Sequence, residues 1–572
     1  MIVVEPFPER RDATQGFAQG VALVLGVAMF FMLFEPRLLD PAYFHWLFWL
    51  PDPATQFLGW HFFRLENWHM PPGAASDYGM DMGGSIVFTD SIPLLALAFK
   101  SLRAALPAHF QYFGPWMLAS YLLQAALGWS LAGLFTRLAG QRLMITALFV
   151  LCPLLPDRAI GHYALMGHWI ILAALYLYLR APQRHAVPAW AALISVAVLV
   201  HAYLAYLALA IAVADVVRRR FVDRSATTLQ AMRGVLIVAA SLLATMWAAG
   251  YFTIPATSFS GGAPYYGRFA ANLNALWNPQ WGSRFLPGLP VLPGSELEGY
   301  NYLGLGVLLL APVAAFALWR RPPSRRTILA CTPVAVVALM LWALALTNQV
   351  AWGNRVVFTV PLPEKVLAVL AAVRGSGRML WVLYYALLIG LPAIVVRCVP
   401  RRGATAILAL SLVVQIADLS PRYIALRGYF RQHFITEAAR WISPLQSPFW
   451  SVAANHYRKI LFVPAVPIPN DFAAFALLAS DHGMKINTGS FARYAVERVA
   501  AADAKRVQLL SAGAAGADSL YVIAAPGKTA VRAGPDDAIG VVDGYEVLAP
   551  GWFACAECQA ALALPAESGH FR

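Results

Sequence analysis

The chain is short of charge. Only 13% of its 572 residues are Asp, Glu, Lys or Arg, against about 25% in an ordinary soluble domain. A water-solvated globule is thereby excluded as the fold of the whole chain. Cysteine is scarce too, at five residues, which excludes a disulfide-built scaffold. Cys152, Cys331 and Cys398 lie in or beside apolar stretches and read as packing residues. Cys555 and Cys558 form a lone CxxC. Without a second pair this speaks against a zinc module and leaves a disulfide open. No fixed-period repeat or low-complexity tract appears. Nor does a cleavable leader: the first apolar run follows Arg10 and Arg11, is long, lacks a small-residue cleavage site, and reads as a retained anchor.

What is present is apolar. Hydrophobic residues make up 59% of the chain and aromatics 13%. Runs of about 20 apolar residues recur, the length a helix needs to cross the hydrocarbon core. In lipid, backbone hydrogen bonds must close within each segment, so such runs are helices. The expected fold class is an α-helical polytopic membrane protein. A net charge of +14 would suit nucleic acid. The basic residues, however, sit in short loops between spans, as the positive-inside rule requires, and no nucleic-acid partner is expected.

The pattern predicts about eleven transmembrane helices, near 14–34, 112–135, 143–156, 164–180, 189–201, 203–217, 233–251, 302–319, 328–347, 379–397 and 404–420. Every second loop then holds arginines, including Arg137, Arg184, Arg219, Arg321 and Arg402. These loops and the N-terminus face the cytoplasm. An additional span at 92–106 would put them all outside, and Lys100 and Arg103 instead suit an interfacial or re-entrant segment. Residues 35–111 form a first outer loop, with aromatic-rich stretches at 41–50 and 57–65 expected to lie in the interface. The domains are then 1–420, transmembrane, and 421–572, a small soluble α/β domain on the outer side. In the latter, 459–466 and 518–525 alternate like strands, and 471–480 and 491–513 read as helices.

Chemistry is expected on the outer loops. Gly79 to Leu94 carries Asp81 and Asp90 among glycines and hydroxyls. An ionisable group near a bilayer is costly and marks function when it faces a cavity. Asp90 is the leading candidate and Asp81 the second. The competing reading makes Thr89, Asp90 or Ser91 the N-cap of a helix whose third position is Pro93. Arg374-Gly375-Ser376-Gly377-Arg378 is out of place on an outer loop. Arginine forks and glycine-turn N–H groups suit phosphate, the favoured reading, the alternative being interfacial anchoring. Arg158, His162 and His168 flank a short outer turn, where Arg158 serves either a phosphate or a headgroup. The histidine spacing is poor for a metal. Tyr266 and Asn301 lie in aromatic, amide-rich loops that suit sugars, the alternative being an interfacial aromatic belt.

Ser85-Ile86-Val87-Phe88-Thr89-Asp90-Ser91-Ile92-Pro93-Leu94, Gly161-His162 with His168-Trp169, Glu298-Gly299-Tyr300-Asn301-Tyr302-Leu303-Gly304, and Arg374 through Arg378 give the chain a resemblance. It resembles an uncharacterised bacterial family within the GT-C superfamily of integral-membrane glycosyltransferases, over most of the chain to about 420. The resemblance implies a GT-C-like fold in a bacterial inner (cytoplasmic) membrane, with the C-terminal domain in the periplasm. It implies transfer of a sugar from a polyprenyl-phosphate donor to a cell-envelope glycan or glycolipid acceptor, with membrane lipid as surroundings. An acidic residue of the first outer loop, here Asp90, acts as base or metal ligand. The loop has no tight Asp-x-Asp or Glu-x-Asp pair, so no metal ligand is assigned and a divalent metal is optional. The alternatives are a lipid-linked sugar transporter or flippase, and a polysaccharide polymerase.

Overall fold

A computed structural model describes residues 13–180, 186–255, 266–436, 440–525, 527 and 529–562. A helix stands at each expected span. Six of these helices are long and apolar enough to cross a membrane: Gln15–Leu33, Ala139–Arg158, Thr228–Ala249, Arg325–Leu346, Ser376–Cys398 and Arg401–Phe434. The expected eleven are therefore seen in part. The stretches Trp169–Leu179, Ala186–Val200, Ala202–Val217 and Leu305–Arg320 have 11, 15, 16 and 16 residues. At about 1.5 Å per residue these fall short of the roughly 30 Å core.

The chain divides into two compact units. The first comprises Met1–Asp40, Tyr112–Thr245 and Gly262–Gln432 and holds most of the apolar helices. Here Ala13–Leu33 packs on Phe113–Gly133, with Gly26 directly against the Tyr121 backbone. Arg401–Phe434 runs 34 residues, well past the expected end at 420. Two polar residues of its second half, Asp418 and Arg422, are paired inside this unit. Asp418 accepts from the Tyr302 hydroxyl at 2.7 Å and the Leu305 amide at 2.9 Å, and Arg422 donates to Asp157 at 2.6 Å. A buried charge that is paired does not end a helix. A hairpin of Gln349–Trp352 and Arg355–Thr359, turning at Gly353, was not foreseen.

The second unit comprises Pro41–Gln111, Met246–Gly261 and His433–Arg572. In its packing the first outer loop groups with the C-terminal domain. Its sheet runs, edge to edge, Lys485–Ile486, Lys459–Val463, Ser519–Ile523, Tyr545–Ala549 and Ala538–Val542. The first three are parallel and the last two antiparallel. Strands at 459 and 519 and helices Phe472–Asp481 and Val496–Ser511 match the sequence reading closely. Cys555 and Cys558 are joined in a disulfide.

Pro51–Leu65 is where the expectation of an interfacial helix gives way. Phe57, Leu58, Trp60 and Phe63 are all fully buried, on every side of the helix. A helix apolar all round belongs in a core, and this one packs on Phe472–Asp481. The segment expected to be re-entrant is a short helix, Pro93–Lys100, followed by a 3-10 turn. Lys100 is buried with its ammonium 3.9 Å from the Phe63 ring centre and donates to the Asn67 carbonyl.

Candidate functional site

In the second unit the Asp90 loop is built on the buried Pro51–Leu65 helix. Ser91 donates its hydroxyl to the Gln56 carbonyl at 2.6 Å, and the Thr89 and Ser91 hydroxyls bond each other at 2.8 Å. Both sit over Gly59, where a Cβ would collide with Thr89 and Ser91. Ser85 donates to the Ala249 carbonyl and accepts from the Val87 amide. The backbone between these anchors is left-handed at Asp90, φ 54°, and again at Ile92, φ 52°. Asp tolerates this conformation, but a β-branched residue does not adopt it without cost.

The capping alternative fails for Thr89, Asp90 and Ser91 alike. The N-cap of Pro93–Lys100 is Ile92, with no side-chain cap, and Pro93 is the first helical residue. Asp90 is half-buried. Tyr251 lies near it: burial, and then the Asp90 carboxylate, push the Tyr251 phenol up.

Asp81 is placed differently. Its carboxylate is held by Arg506, which also reaches Asp503 at 2.9 Å. Asp77 pairs with Lys485 at 2.9 Å, and residues 77–79 bond to the Ile486 backbone at the sheet edge. These carboxylates fasten the loop to the C-terminal domain.

In the first unit a buried ionic group takes shape around Glu298, which the sequence reading passed over as a site residue. Arg378 grips Glu298 with Nε to Oε2 and Nη2 to Oε1, both at 2.6 Å. Arg158 reaches Oε2 at 3.0 Å and donates to the Leu297 carbonyl at 2.8 Å. His162 Nε2 lies 3.5 Å from Oε1. Burial raises the Glu298 carboxyl. The Arg378 and then the Arg158 guanidinium outweigh it and hold the group well below the usual carboxylate range. Two guanidiniums on one carboxylate leave the group net positive. The signal was available: Glu296 and Glu298 are the only acids in 266–304.

The Gly375-Ser376-Gly377 turn is not an open anion nest. The Gly375 amide donates to the Tyr203 hydroxyl at 2.7 Å and the Gly377 amide to the Phe269 carbonyl at 2.9 Å. A Cβ at Gly377 would collide with the Glu298 backbone, so close approach is what glycine supplies there. Ser376 is buried, with its hydroxyl on the Phe269 carbonyl at 3.4 Å. Asn301 links the same strands of chain, donating to the Gly299 and Gly377 carbonyls at 3.1 and 3.4 Å. Arg374 is half-buried just before this turn.

His168 is a core residue, fully buried, with Nδ1 2.8 Å from the Tyr385 hydroxyl and its ring on Trp381. Tyr266 is half-buried and donates to the Leu344 carbonyl at 3.4 Å. The amides beside it fold the loop itself. Asn278 donates to the Leu289 carbonyl at 2.9 Å and accepts from the Gln280 and Leu289 amides. Tyr265 lies outside the described residues. Thus Arg158, His162, Ser376, Arg378 and Asn301 come together around Glu298, whereas His168 and Tyr266 serve other contacts. His456 stands with Cys555 and Cys558 at metal-ligand spacing, but the two sulfurs are bonded to each other.

The family described as "Domain of unknown function (DUF6311)" matches residues 23–420, and the "DUF6311 C-terminal domain" matches 449–550. No curated protein matches the chain.

Proposed function

The chain belongs to the DUF6311 family, and we propose that it is a membrane glycosyltransferase of the GT-C kind. It moves a sugar from a polyprenyl-phosphate donor to a cell-envelope glycan or lipid acceptor, at the periplasmic face of a bacterial inner membrane. The observation that carries this reading is the construction of the Asp90 loop. Two non-glycine residues, Asp90 and Ile92, are held left-handed by a buried hydroxyl pair over Gly59. Such strain persists where the surroundings over-determine it, and it concentrates at functional sites.

In this mechanism the Asp90 carboxylate takes the proton of an acceptor hydroxyl. The hydroxyl oxygen bonds to the anomeric carbon as the bond from that carbon to the phosphate oxygen breaks. The electron pair leaves with the polyprenyl phosphate. Positive charge favours such a dianionic leaving group; within the first unit, taken by itself, the group of Arg158, Glu298 and Arg378 is net positive and suits an anionic phosphate. Glu298 orients Arg378, which makes that arginine a fixed fork.

The test is donor consumption. The full chain in lipid vesicles is given labelled short-chain polyprenyl-phosphate sugars and a membrane extract as acceptor, and free polyprenyl phosphate is followed. Release that depends on the protein and the extract is expected. Movement of intact donor between vesicle leaflets without any release would replace this reading with the transporter.

A further inference from the structure

Three titratable side chains in the second unit converge away from Asp90. His61 lies on the Pro51–Leu65 helix, His109 ends the run before Tyr112, and Asp481 closes the Phe472–Asp481 helix. His61 Nε2 is 3.1 Å and His109 Nε2 is 3.0 Å from the same oxygen, Asp481 Oδ1. All three potential ligand atoms lie within 4.8 Å of one another. We propose that His61, His109 and Asp481 form a binding site for a first-row divalent cation, zinc foremost.

The spacing fits. Zinc bonds of about 2.0–2.1 Å in a tetrahedron place neighbouring ligand atoms roughly 3.3 Å apart. The observed nitrogen-to-oxygen distances need only a few tenths of an ångström of opening. The rings are already set by stacking. Phe44 lies flat on His109 at 4.5 Å and 19°, Phe57 on His61 at 5.4 Å and 16°, and Phe44 on Phe57 at 5.1 Å and 17°. The backbone is set as well. Arg64, one helical turn beyond His61, donates to the carbonyls of Pro107 and Ala108 at 2.7 and 3.0 Å, which fixes the approach to His109.

In the bound form each imidazole carries its single proton on Nδ1, which leaves both Nε2 lone pairs and the Asp481 oxygen to the ion. His61 is 3% exposed, but His109 and Asp481 are 32% and 35% exposed. The site therefore has an entry path and room for water as a fourth ligand, the arrangement of an open site.

The experiment uses the full chain in detergent with Cys555→Ser and Cys558→Ser, so that the group of His456, Cys555 and Cys558 cannot compete, after stripping with a chelator. Zinc alone is titrated against a chromophoric chelator. One tight equivalent is expected. His109→Gln and Asp481→Asn, both at partly exposed positions, should each weaken it more than about tenfold, the least that even an outer-shell loss costs. Cobalt(II) substitution should give a visible spectrum of a nitrogen- and oxygen-ligated ion, lost in both variants. No bound zinc, or zinc binding unchanged in both variants, would overturn the site.

Discussion

Arg378 holds Glu298 through both edges of its guanidinium, at 2.6 Å on each side, while Arg158 takes the same carboxylate at 3.0 Å. A carboxylate from the 266–304 loop thus neutralises one of two buried arginines 140 and 80 residues away in sequence.

Removing that carboxylate leaves two buried guanidiniums without it. Glu298→Gln should destabilise the protein by about 3–5 kcal/mol, the usual cost of breaking a buried ion pair. Arg378→Lys, which keeps charge but loses the fork, should cost less. Chemical denaturation of the purified chain measures both. An unchanged midpoint in Glu298→Gln would contradict the packing described.

The same group sets an acid limit. The folded Glu298 carboxyl titrates well below its unfolded value near 4.5. Its stabilisation is therefore complete above that value and is lost as pH falls beneath it. Thermal melts from pH 6 to 3 should fall more steeply for the wild type than for Glu298→Gln. Parallel slopes would remove Glu298 as the source.

Asp81 and Arg506 form a partly exposed pair, at 29% and 12%. Asp81→Asn should cost about 1 kcal/mol or less and leave sugar transfer within roughly twofold, since a twofold change is under about 0.5 kcal/mol. A large loss of transfer with unchanged stability would return Asp81 to the candidates for the base.

Gly59 is the support of the Asp90 loop. Gly59→Ala puts a methyl into the Thr89 and Ser91 hydroxyls and should cost about 1–3 kcal/mol, as overpacking does. Donor turnover should fall further than stability alone accounts for. Full turnover in this variant would show that the loop geometry does not matter.

Much of the fold was legible. A helix formed at each expected span, and six of these are long and apolar enough to cross a membrane. Lys459–Val463 and Ser519–Ile523 were equally plain from their alternation. What escaped was non-local. Pro51–Leu65 has the aromatic composition of an interfacial helix, and only its packing on Phe472–Asp481 makes it core. The Gly-Ser-Gly turn reads the same whether it cradles phosphate or lets the Glu298 backbone pass close. The amides of 272–280 likewise resemble sugar ligands, yet they fold their own loop. Ile92 in a left-handed conformation leaves no trace in sequence at all, since nothing local favours it.

Asp90→Asn tests the central claim most directly. Asn accepts the left-handed backbone as Asp does, so loop geometry and melting temperature should be preserved while the base is lost. Transfer of labelled sugar from polyprenyl phosphate to the membrane acceptor should drop by about a hundredfold or more, the lower end of general-base catalysis. Transfer at the wild-type rate in a normally folded Asp90→Asn protein would contradict the account.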